Sequence, residues 1–327
     1  MSISVVIPVF NGETTIGETI NSICNQTFQD IEIIIINDGS TDKTLEIINK
    51  IADSRIKVFS YPNAGLSASR NRGISQAQGE YISFIDADDL WTTDKLELQW
   101  QALQKNPQAA VAYSWTNYID ESSQFLKSGR KIKANGDVFS KLLVINFLEN
   151  GSNPLIDRKA LEKVGGFDES LPAAEDIDMW LRLAANYEFI CVEKAQILYR
   201  ISTSSMSANL RRQENACLRV TERAFSYPKA ENLQHLKKQS LSQLYQYLTY
   251  KAIEAPPKQR QTLTAAYFFW SWINNNPVAL KNKRVIIVVL KIFFPRLFQR
   301  LNQLRKAATK NAKTICCGFV LISQSLF

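Results

Sequence analysis

The chain contains the stretch YISFIDADD at residues 81–89. Five mostly apolar residues, which are typical of a buried β-strand, run directly into three carboxylates. A strand that ends in this way places its acids at the carboxyl edge of a sheet, where open α/β sheets bind ligands. Asp86 and Asp88 are two positions apart, and such like charges repel each other unless a cation lies between them. The stretch indicates a site for a hard divalent cation that carries substrate phosphates, with a solvated acidic turn as the alternative.

The sequence on either side of this stretch alternates between apolar runs and segments with helical periodicity. Apolar runs at 3–9, 31–36 and 56–59 predict strands, and segments 14–24 and 66–77 predict helices. Near-continuous apolar strands separated by helices are typical of a sheet that is buried on both faces. We therefore predict an α/β fold with a Rossmann-type, mostly parallel sheet that carries helices on both faces.

Polar residues follow three of these strands, at Asn11, at Asp38 and in the acidic group that begins with Asp86. The usual nucleotide motifs do not account for them. No G-x-G-x-x-G follows a strand, which argues against a dinucleotide oxidoreductase. Residues 12–19 have the glycine spacing of a phosphate-binding loop, but Glu18 stands where the lysine of that loop must be. Polar ends on three strands of one parallel sheet indicate a ligand site of another kind.

Net charge divides the chain into two regions. The formal charge of +8 over 327 residues combines −8 for residues 1–204 with +16 for residues 205–327. Such asymmetry is typical of regions that have different partners. We therefore predict two domains with these bounds, the second of them a basic helical extension.

Cysteine and histidine usage limits the chemistry. The five cysteines form no C-x-x-C pair and are odd in number, as expected for free thiols in a reducing compartment. His235 is the single histidine, which excludes a zinc site built from histidines. Because Met1 leads into an apolar strand without a basic leader, we expect a cytoplasmic location.

The second region has helical periodicity at 211–225, 233–253 and 263–273. An apolar run at 285–294 is too short for a bilayer span, which needs about twenty residues. The basic residues on its flanks are Lys281, Lys283, Arg284, Arg296 and Arg300. Together with the apolar segment 315–327, this pattern predicts peripheral binding to an anionic membrane surface.

The basic region has two other interpretations, of which the first remains open and the second is disfavoured. The first is a helical subdomain or a homodimer contact with a basic exposed face. The second is nucleic-acid binding, which is not favoured because the aromatic residues are not interleaved with the basic ones as stacking platforms.

A series of short motifs occurs in order along the first region. They are VIPVFN at 6–11, INDGSTD at 36–42, NAGLSASRNRG at 63–73, DADD at 86–89, GGFDE at 165–169 and EDIDMWLRL at 175–183. Together they resemble glycosyltransferase family 2, a family of inverting enzymes with the GT-A fold. The resemblance covers residues 1–200, so the basic region lies beyond it.

The resemblance implies a metal site and a catalytic base. Asp88 would bind Mn²⁺ or Mg²⁺ directly, and Asp86 would contact the ribose, or the metal through water. Asp176 matches the general base that takes the proton of the acceptor hydroxyl, and its neighbour Glu175 would help to bind the acceptor. Considered without the family, acids at a helix start are explained by the helix dipole. Asp178 is an alternative base.

The nucleotide would bind at the ends of the first two strands. Phe10 would stack on the base, the backbone of Pro8 and Val9 would lie at the base edge, and Asp38 would accept from a uracil N–H, which favours UDP. Arg70 would pair with the base or the phosphates. The remaining predicted contacts of the nucleotide sugar are Asn11, Ser40, Gly65 and Asp86, of which Gly65 would permit a close backbone approach.

Sugar and acceptor contacts are expected in the segment 113–153 and on the helix that carries Asp176. The candidates are Trp115, Asn117, Gly151, Ser152, Asn153 and Trp180. For the tryptophans, a place in the buried core is an equal alternative to stacking on a sugar. The resemblance implies a metal-dependent inverting glycosyltransferase that moves a sugar from a nucleotide sugar, with UDP-sugar favoured, to a glycan or lipid-linked acceptor. It would act in cell-surface polysaccharide synthesis at the cytoplasmic face of the membrane. The alternatives are a non-catalytic sugar-nucleotide-binding protein and a nucleotidyltransferase.

Overall fold

The computed structural model describes residues 2–202, 209–254 and 262–294. The proline pair at 256–257, the basic residues Arg296 and Arg300, and the apolar segment 315–327 lie outside the described residues. The chain forms two compact units, of which the first comprises Met1–Lys237 and the second begins at Lys238. This division falls later in the chain than the change of charge at residue 204, and the domain bounds drawn from charge remain a prediction.

The first unit is a mixed α/β structure. Its strands are β1 (Ile3–Val9), β2 (Ile31–Asn37), β3 (Ile56–Ser60), β4 (Tyr81–Phe84), β5 (Leu90–Trp91), β6 (Ala109–Ile119), β7 (Phe125–Ser128), β8 (Leu155–Asp157) and β9 (Glu188–Arg200). Its α-helices are α1 (Ile16–Cys24), α2 (Thr44–Asn49), α3 (Leu66–Gln76), α4 (Lys95–Lys105), α5 (Phe139–Val144), α6 (Arg158–Val164), α7 (Glu175–Asn186) and α8 (Leu210–Phe225).

One sheet joins all of these strands. The first four follow the order β3-β2-β1-β4 and are parallel to one another. β8 then pairs antiparallel with β4 and with β6, and β9 runs parallel to β6. Because β1 lies between β2 and β4, the strand order reverses at β1, and open α/β sheets bind ligands in the crevice at such a reversal, here between the carboxyl ends of β1 and β4. The predicted α/β class is confirmed, and the crevice lies where the predicted site residues follow their strands.

Both faces of the sheet are buried, which explains why its strands are apolar at nearly every position. Val5 of β1 packs in one cluster with Ile16 of α1 and Leu96 of α4. Val6 points to the other face, since side chains alternate along a strand. There α3 lies so close that a Cβ added at Gly73 would be 2.2 Å from Val6 Cγ1. Helices therefore cover both faces, as predicted.

The last part of the first unit is helical. Helix α8 matches the helix predicted at 211–225 and is tied to the rest of the unit by Arg223, which pairs with Asp168 and Asp178. The single helix predicted at 233–253 is wrong at its start, because Pro228–Leu236 forms a 3-10 helix and the α-helix begins only at Lys237. Proline at the first position favours a new start there, and the tighter 3-10 turns connect the two helices.

The described part of the second unit consists of helices, as the sequence predicts. They are α9 (Lys237–Glu254), α10 (Thr262–Asn275), a 3-10 helix (Pro277–Lys281) and α11 (Lys283–Phe293). Aromatic contacts hold α9 to α10, where Tyr245 packs on Phe268 and Tyr250 packs on Trp272. Within the described ranges, none of the helices combines the length and the apolar character needed to cross a bilayer.

Candidate active site

The carboxyl ends of three neighbouring strands carry most of the predicted site residues. β1 runs into Phe10 and Asn11, β2 runs into Asp38, and β4 runs into the segment with Asp86 and Asp88. Parallel strands present these ends at one edge of the sheet, which is the ligand edge of open α/β folds. Residues that are far apart in the sequence therefore meet at the crevice between β1 and β4.

Asp38 holds the loop between β3 and α3 against the end of β2. Its backbone N–H donates to the carbonyl of Val9, and its side chain is 3% exposed. Oδ1 accepts from the backbone N–H of Ala64 and from Arg72 Nη1, both at 3.0 Å, and Oδ2 accepts from the N–H of Gly65 at 2.8 Å. Oδ1 thus has two donors, whereas Oδ2 takes one from the described residues and can accept another. The predicted uracil contact would use that second site on Oδ2.

Gly65 connects this loop to α3 in a backbone conformation that side-chain-bearing residues rarely adopt. Its φ is 90° and its ψ is 173°. A Cβ added here would meet nothing within 4 Å in the described structure, so glycine is required by the backbone and not by crowding. Arg72 stacks on Tyr61 with 4.6 Å from its guanidinium carbon to the ring centroid. The loop is therefore fixed on both sides, while the approach of a nucleotide to Gly65 remains a prediction.

Phe10 and Asn11 form the rim of the crevice at the end of β1. Phe10 is 53% exposed, which leaves its ring available for stacking, while Pro8 lies buried inside the strand. Asn11 has a positive φ of 50°, its backbone N–H donates to Ser40 Oγ at 3.0 Å, and its Oδ1 accepts from the N–H of Thr41 at 2.9 Å. Asn11 and Ser40 thus join the loops after β1 and β2. Their contacts with a nucleotide remain predictions.

Asp86 and Asp88 both follow β4, but Asp86 has a positive partner whereas Asp88 is influenced mainly by burial and by a negative neighbour. Asp86 accepts a 2.7 Å ion-pair hydrogen bond from Arg70 Nη2. Burial and the negative charge of Asp86 raise the pKa of Asp88 to about 6. A carboxylate held near a second negative group in this way favours a bound cation. The donor set of two carboxylates fits a divalent ion whose other ligands come from substrate phosphates and water.

A larger protein cage for a metal is not formed by the described residues, which contain no cluster of three or more His, Cys, Asp or Glu side chains able to hold an ion. Mg²⁺ and similar ions are commonly bound by one or two carboxylates together with substrate phosphates. The residues present therefore fit a metal that arrives with, or is completed by, a diphosphate. Metal binding by Asp88 and Asp86 remains a prediction.

The third acid of the group, Asp89, has a structural environment. It is fully buried, and its carboxylate accepts from Ser152 Oγ at 2.5 Å and from the backbone N–H of Arg200 at 3.0 Å. Burial, followed by the charges of Asp88 and Asp86, raises its pKa well above the usual range. Arg200 Nε also donates to the carbonyl of Asp88 at 2.7 Å. Asp89 thus anchors the loop inside the protein, while Asp86 and Asp88 stay partly exposed.

Arg70 joins the donor side of the site to its acceptor side. It is 1% exposed, Nη2 donates to Asp86 at 2.7 Å, and Nη1 donates to Glu175 Oε1 at 2.9 Å. Burial alone would lower the pKa of Arg70, but the two carboxylates raise it. Phe167 lies 5.2 Å from the guanidinium carbon, and a Cβ added at Gly151 would lie 2.4 Å from Nη2. In this structure Arg70 therefore positions two carboxylates, and its predicted contact with the nucleotide remains a prediction.

Glu175 and Asp176 begin helix α7. The helix follows Ala174, which has a positive φ of 60° and so turns the chain sharply into the helix. Burial and the charge of Glu175 raise the pKa of Asp176 to about 7, although Arg70 opposes this shift. Its Oδ1 accepts from the N–H of Ile177 at 2.8 Å. A carboxylate with a pKa near neutrality is suited to act as a general base.

Asp178, the alternative base, is held by two arginines. It is 1% exposed, Arg182 Nε donates to Oδ2 at 2.8 Å, and Arg223 Nη1 donates to Oδ1 at 2.9 Å. Both oxygens of this buried carboxylate are thus engaged by arginines, and the choice of Asp176 over Asp178 as the base remains a prediction.

The predicted acceptor contacts divide into buried and accessible residues. Trp180, Ser152 and Asn153 are fully buried, and Asn153 bonds the backbone of Ser114. They support the site from within, so the expectation that they contact the acceptor is wrong for this conformation. Trp115 is partly exposed, as is Asn117. The sequence could not separate these groups because tryptophan occurs both in cores and at binding surfaces, and because asparagine and serine, which are mostly exposed, are here buried.

Sequence reasoning missed Arg200, the last residue of β9. Its side chain is 2% exposed and pairs with Glu18 at 2.8 Å, while Nη1 donates to Ser123 Oγ and to the backbone at Asp120 and Glu121. A basic residue at the end of a buried strand is a signal that could have indicated a bound carboxylate. Arg200 therefore stabilises the loop after β4 at Asp88 and Asp89, whereas Arg70 contacts it at Asp86.

Comparison with known proteins identifies relatives of this chain. Residues 4–252 match the family model described as glycosyltransferase-like family 2. An uncharacterized glycosyltransferase of Methanocaldococcus jannaschii is 33% identical over 205 residues, which are 61% of this chain and 70% of that protein. The chain covers less of other relatives: 31% of an uncharacterized glycosyltransferase of Rickettsia conorii, at 34% identity over 55% of this chain, and 32% of the chondroitin synthase of Pasteurella multocida, at 26% identity over 89% of this chain.

Solved structures share the fold. S. aureus TarS 1-349 in complex with UDP-GlcNAc gives a TM-score of 0.56 at 19% identity and covers 84% of this chain and 89% of its own. The mannosyltransferase PcManGT from Pyrobaculum calidifontis, in complex with GDP-Man and Mn²⁺, gives a TM-score of 0.60 at 17% identity, with 95% and 86% covered. The predicted GT-A-like fold is confirmed by these likenesses.

Proposed function

The chain belongs to the glycosyltransferase-like family 2, as its motifs predict, and we propose that it transfers a sugar from a nucleotide sugar to an acceptor hydroxyl with inversion. One observation carries this proposal. A buried arginine, Arg70, joins Asp86 at the donor edge of the sheet to Glu175, which is adjacent to Asp176. The carboxylates needed for the leaving group and for the acceptor are thereby held in one site.

The donor would lie across the ends of β1 and β2. Phe10 offers an exposed ring for the base, and Oδ2 of Asp38 can accept from a uracil N–H. This arrangement supports UDP as the nucleotide. TarS is in complex with UDP-GlcNAc and PcManGT with GDP-Man, so both nucleotides belong in the test.

Asp88 and Asp86 would hold Mn²⁺ or Mg²⁺. When bound, the ion would neutralise the charge that develops on the departing diphosphate. The raised pKa of Asp88 supports this assignment, because burial and the charge of Asp86 leave it in need of a cation. PcManGT is in complex with Mn²⁺, which makes that ion the first to test.

Asp176 would act as the general base. It takes the proton of the acceptor hydroxyl while the hydroxyl oxygen forms a bond to the anomeric carbon and the bond from that carbon to the diphosphate breaks. A pKa of about 7 keeps the carboxylate sufficiently ionised at neutral pH and basic enough to accept the proton. Glu175 would orient the acceptor and is itself oriented by Arg70.

The acceptor would be a glycan or a lipid-linked glycan in cell-surface polysaccharide synthesis. Support comes from relatives named chondroitin synthase and hyaluronan synthase, although the chain spans about a third of their length. The enzyme would act at the cytoplasmic face of a membrane, attached peripherally through its basic second region. Free thiols at Cys24 and Cys191 are consistent with a reducing compartment.

The test is a donor screen with the full chain. UDP- and GDP-sugars are incubated with Mn²⁺ and candidate glycan acceptors, and the release of nucleoside diphosphate and the labelled glycan are measured. Transfer by the wild type and its loss in Asp176→Asn are expected, with Glu46→Gln as the control, since Glu46 is an exposed carboxylate of α2 that pairs with Lys50. Donor binding without turnover would identify a non-catalytic sugar-nucleotide-binding protein, and release of pyrophosphate would identify a nucleotidyltransferase.

A further inference from the structure

Helix α10 of the second unit is apolar on two opposite faces. One face is buried and carries Phe268 and Trp272. Leu263, Tyr267 and Trp270 recur at the spacing of the opposite face and are 88%, 42% and 72% exposed. A helix that is apolar all round is normally buried in protein or in lipid, so the exposed face indicates a partner.

Helix α11 repeats this arrangement. Val285, Val288 and Ile292 recur at helical spacing and are buried. Ile286 and Phe293 lie on the other side of the helix and are 59% and 52% exposed. A surface helix that packs only on the protein core normally carries polar residues at such exposed positions.

The 3-10 helix between α10 and α11 adds two exposed apolar side chains. We define the exposed apolar surface of the second unit as Leu263, Trp270, Val278, Leu280, Ile286 and Phe293. Isolated apolar residues on a protein surface are ordinary, but a group of large ones on consecutive elements marks an interaction site.

The net charge of residues 255–327 indicates which kind of partner this surface would bind. Residues 255–327 contain twelve Lys and Arg and no Asp or Glu. Lys281, which is exposed, lies at the end of the 3-10 helix next to the exposed apolar surface. A partner surface with negative charge would be attracted, whereas a second copy of this segment would bring positive charge against positive charge.

We propose that the exposed apolar surface of the second unit docks on an anionic lipid bilayer. Trp270, Leu263 and their neighbours enter the boundary between headgroups and acyl chains, and the exposed Lys281 beside them meets the anionic headgroups. Tryptophan suits this boundary because its ring is apolar and its N–H can bond to headgroups or water. The inference rests on the proposed peripheral membrane association and assigns that association to named residues.

The test is flotation of the full chain with vesicles. Vesicles made from equal parts of phosphatidylglycerol and phosphatidylcholine are compared with vesicles of phosphatidylcholine alone. The wild type floats with the anionic vesicles, and Leu263→Gln/Trp270→Gln lowers the partition coefficient at least about tenfold, because two large apolar groups no longer enter the lipid. Phe125→Gln is the matched control, since Phe125 is 62% exposed in β7 of the first unit, and it floats like the wild type.

Circular dichroism and thermal unfolding establish that the variants are folded. Flotation of the double variant equal to that of the wild type overturns the surface assignment and leaves membrane association in place. Absence of flotation overturns both. If light scattering shows that the double variant converts a dimer to a monomer, a second copy covers the surface. If a chain that ends at Phe294 floats but the full chain does not, residues 295–327 cover the exposed apolar surface in the full chain, and the proposal is again wrong. None of these readouts depends on sugar transfer, so the catalytic proposal stands or falls separately.

Discussion

Replacing Arg70 by methionine tests the link between the two sides of the site. Methionine fills most of the volume of the arginine stem but removes the only charge that meets both Asp86 and Glu175 in the described site. Removing one partner of a buried ion pair typically costs about 3–5 kcal/mol, because the remaining charge is left without compensation. Asp86 is 26% exposed and can recover hydration, so we expect a loss near the lower end, about 3 kcal/mol.

The assay is urea unfolding of the full chain followed by fluorescence, with stability taken from the transition of the first unit. Arg158→Met is the matched control. Its guanidinium pairs with Glu162 on the surface of α6, and such a pair contributes about 0.3–0.5 kcal/mol. A second step combines Arg70→Met with Glu175→Gln, which removes one of the two uncompensated charges. The double variant should recover about 1 kcal/mol or more relative to the sum of the single changes.

The same variant changes the pH dependence of transfer. Arg70 lowers the pKa of Asp176 against the effect of burial, so its removal raises that pKa above about 7. The base is then protonated at neutral pH, and the acid limb of the kcat profile moves to higher pH. Two results would refute the reasoning: a loss of stability within 0.5 kcal/mol of the Arg158→Met control, or additive effects of Arg70→Met and Glu175→Gln.

Further changes test single residues. Asp176→Asn should lower kcat by about 10²- to 10⁴-fold, and the wild-type kcat should rise through pH 7 as Asp176 loses its proton. Asp88→Asn, like removal of metal with EDTA, should abolish transfer while leaving thermal unfolding unchanged or shifted upward, because a buried like charge is removed. Gly65→Ala should cost about 1–3 kcal/mol and weaken donor binding in calorimetry, because alanine is strained at a φ of 90°. Lys95→Met should raise the free energy of unfolding at pH 7 by about 1 kcal/mol, since burial lowers the pKa of this lysine well below its usual range.

The sign for Lys95 follows from proton linkage. Between its lowered pKa in the folded state and its usual value, the unfolded chain binds more protons, so the stability of the wild type rises with pH in that window. Lys95→Met should remove that rise. Stability of the variant below that of the wild type at pH 7 would contradict the prediction.

Two outcomes would contradict the catalytic assignments. Full activity in EDTA would exclude the metal, and a loss of kcat under tenfold in Asp176→Asn would indicate that Glu175, not Asp176, is the base.

The fold could be predicted from the sequence because its central strands are buried on both faces. Such strands are apolar at nearly every position, so their ends and the polar residues that follow them are visible without a structure. The strand predicted before Asp86 ends at Phe84 in the structure, and the helix predicted at 66–77 is α3, Leu66–Gln76. The 3-10 helix at Pro228–Leu236 was missed because its apolar spacing also fits an α-helix.

The partners of the charged site residues could not be predicted. Arg70 lies on a helix, where arginine is usually solvated, and its partner Glu175 is 105 positions away. Asp88 and Asp89 are adjacent and chemically alike, yet Asp88 is partly exposed and Asp89 bonds Ser152 inside the protein. Only tertiary packing distinguishes them, since propensity and pattern describe neighbours along the chain and not across it.

The anchoring of Asp89 has a consequence for how the protein reaches its native state. Its two donors, from Ser152 and Arg200, are separated from it by 63 and 111 positions. Closing chain loops of this length loses entropy before any contact is gained, so contacts of this kind form slowly. A nascent chain that has not yet emerged to Arg200 can pair β1, β2 and β3, but Asp89 still lacks the backbone donor of Arg200. We therefore expect the donor site to be assembled after the sheet that supports it, when the last strand docks.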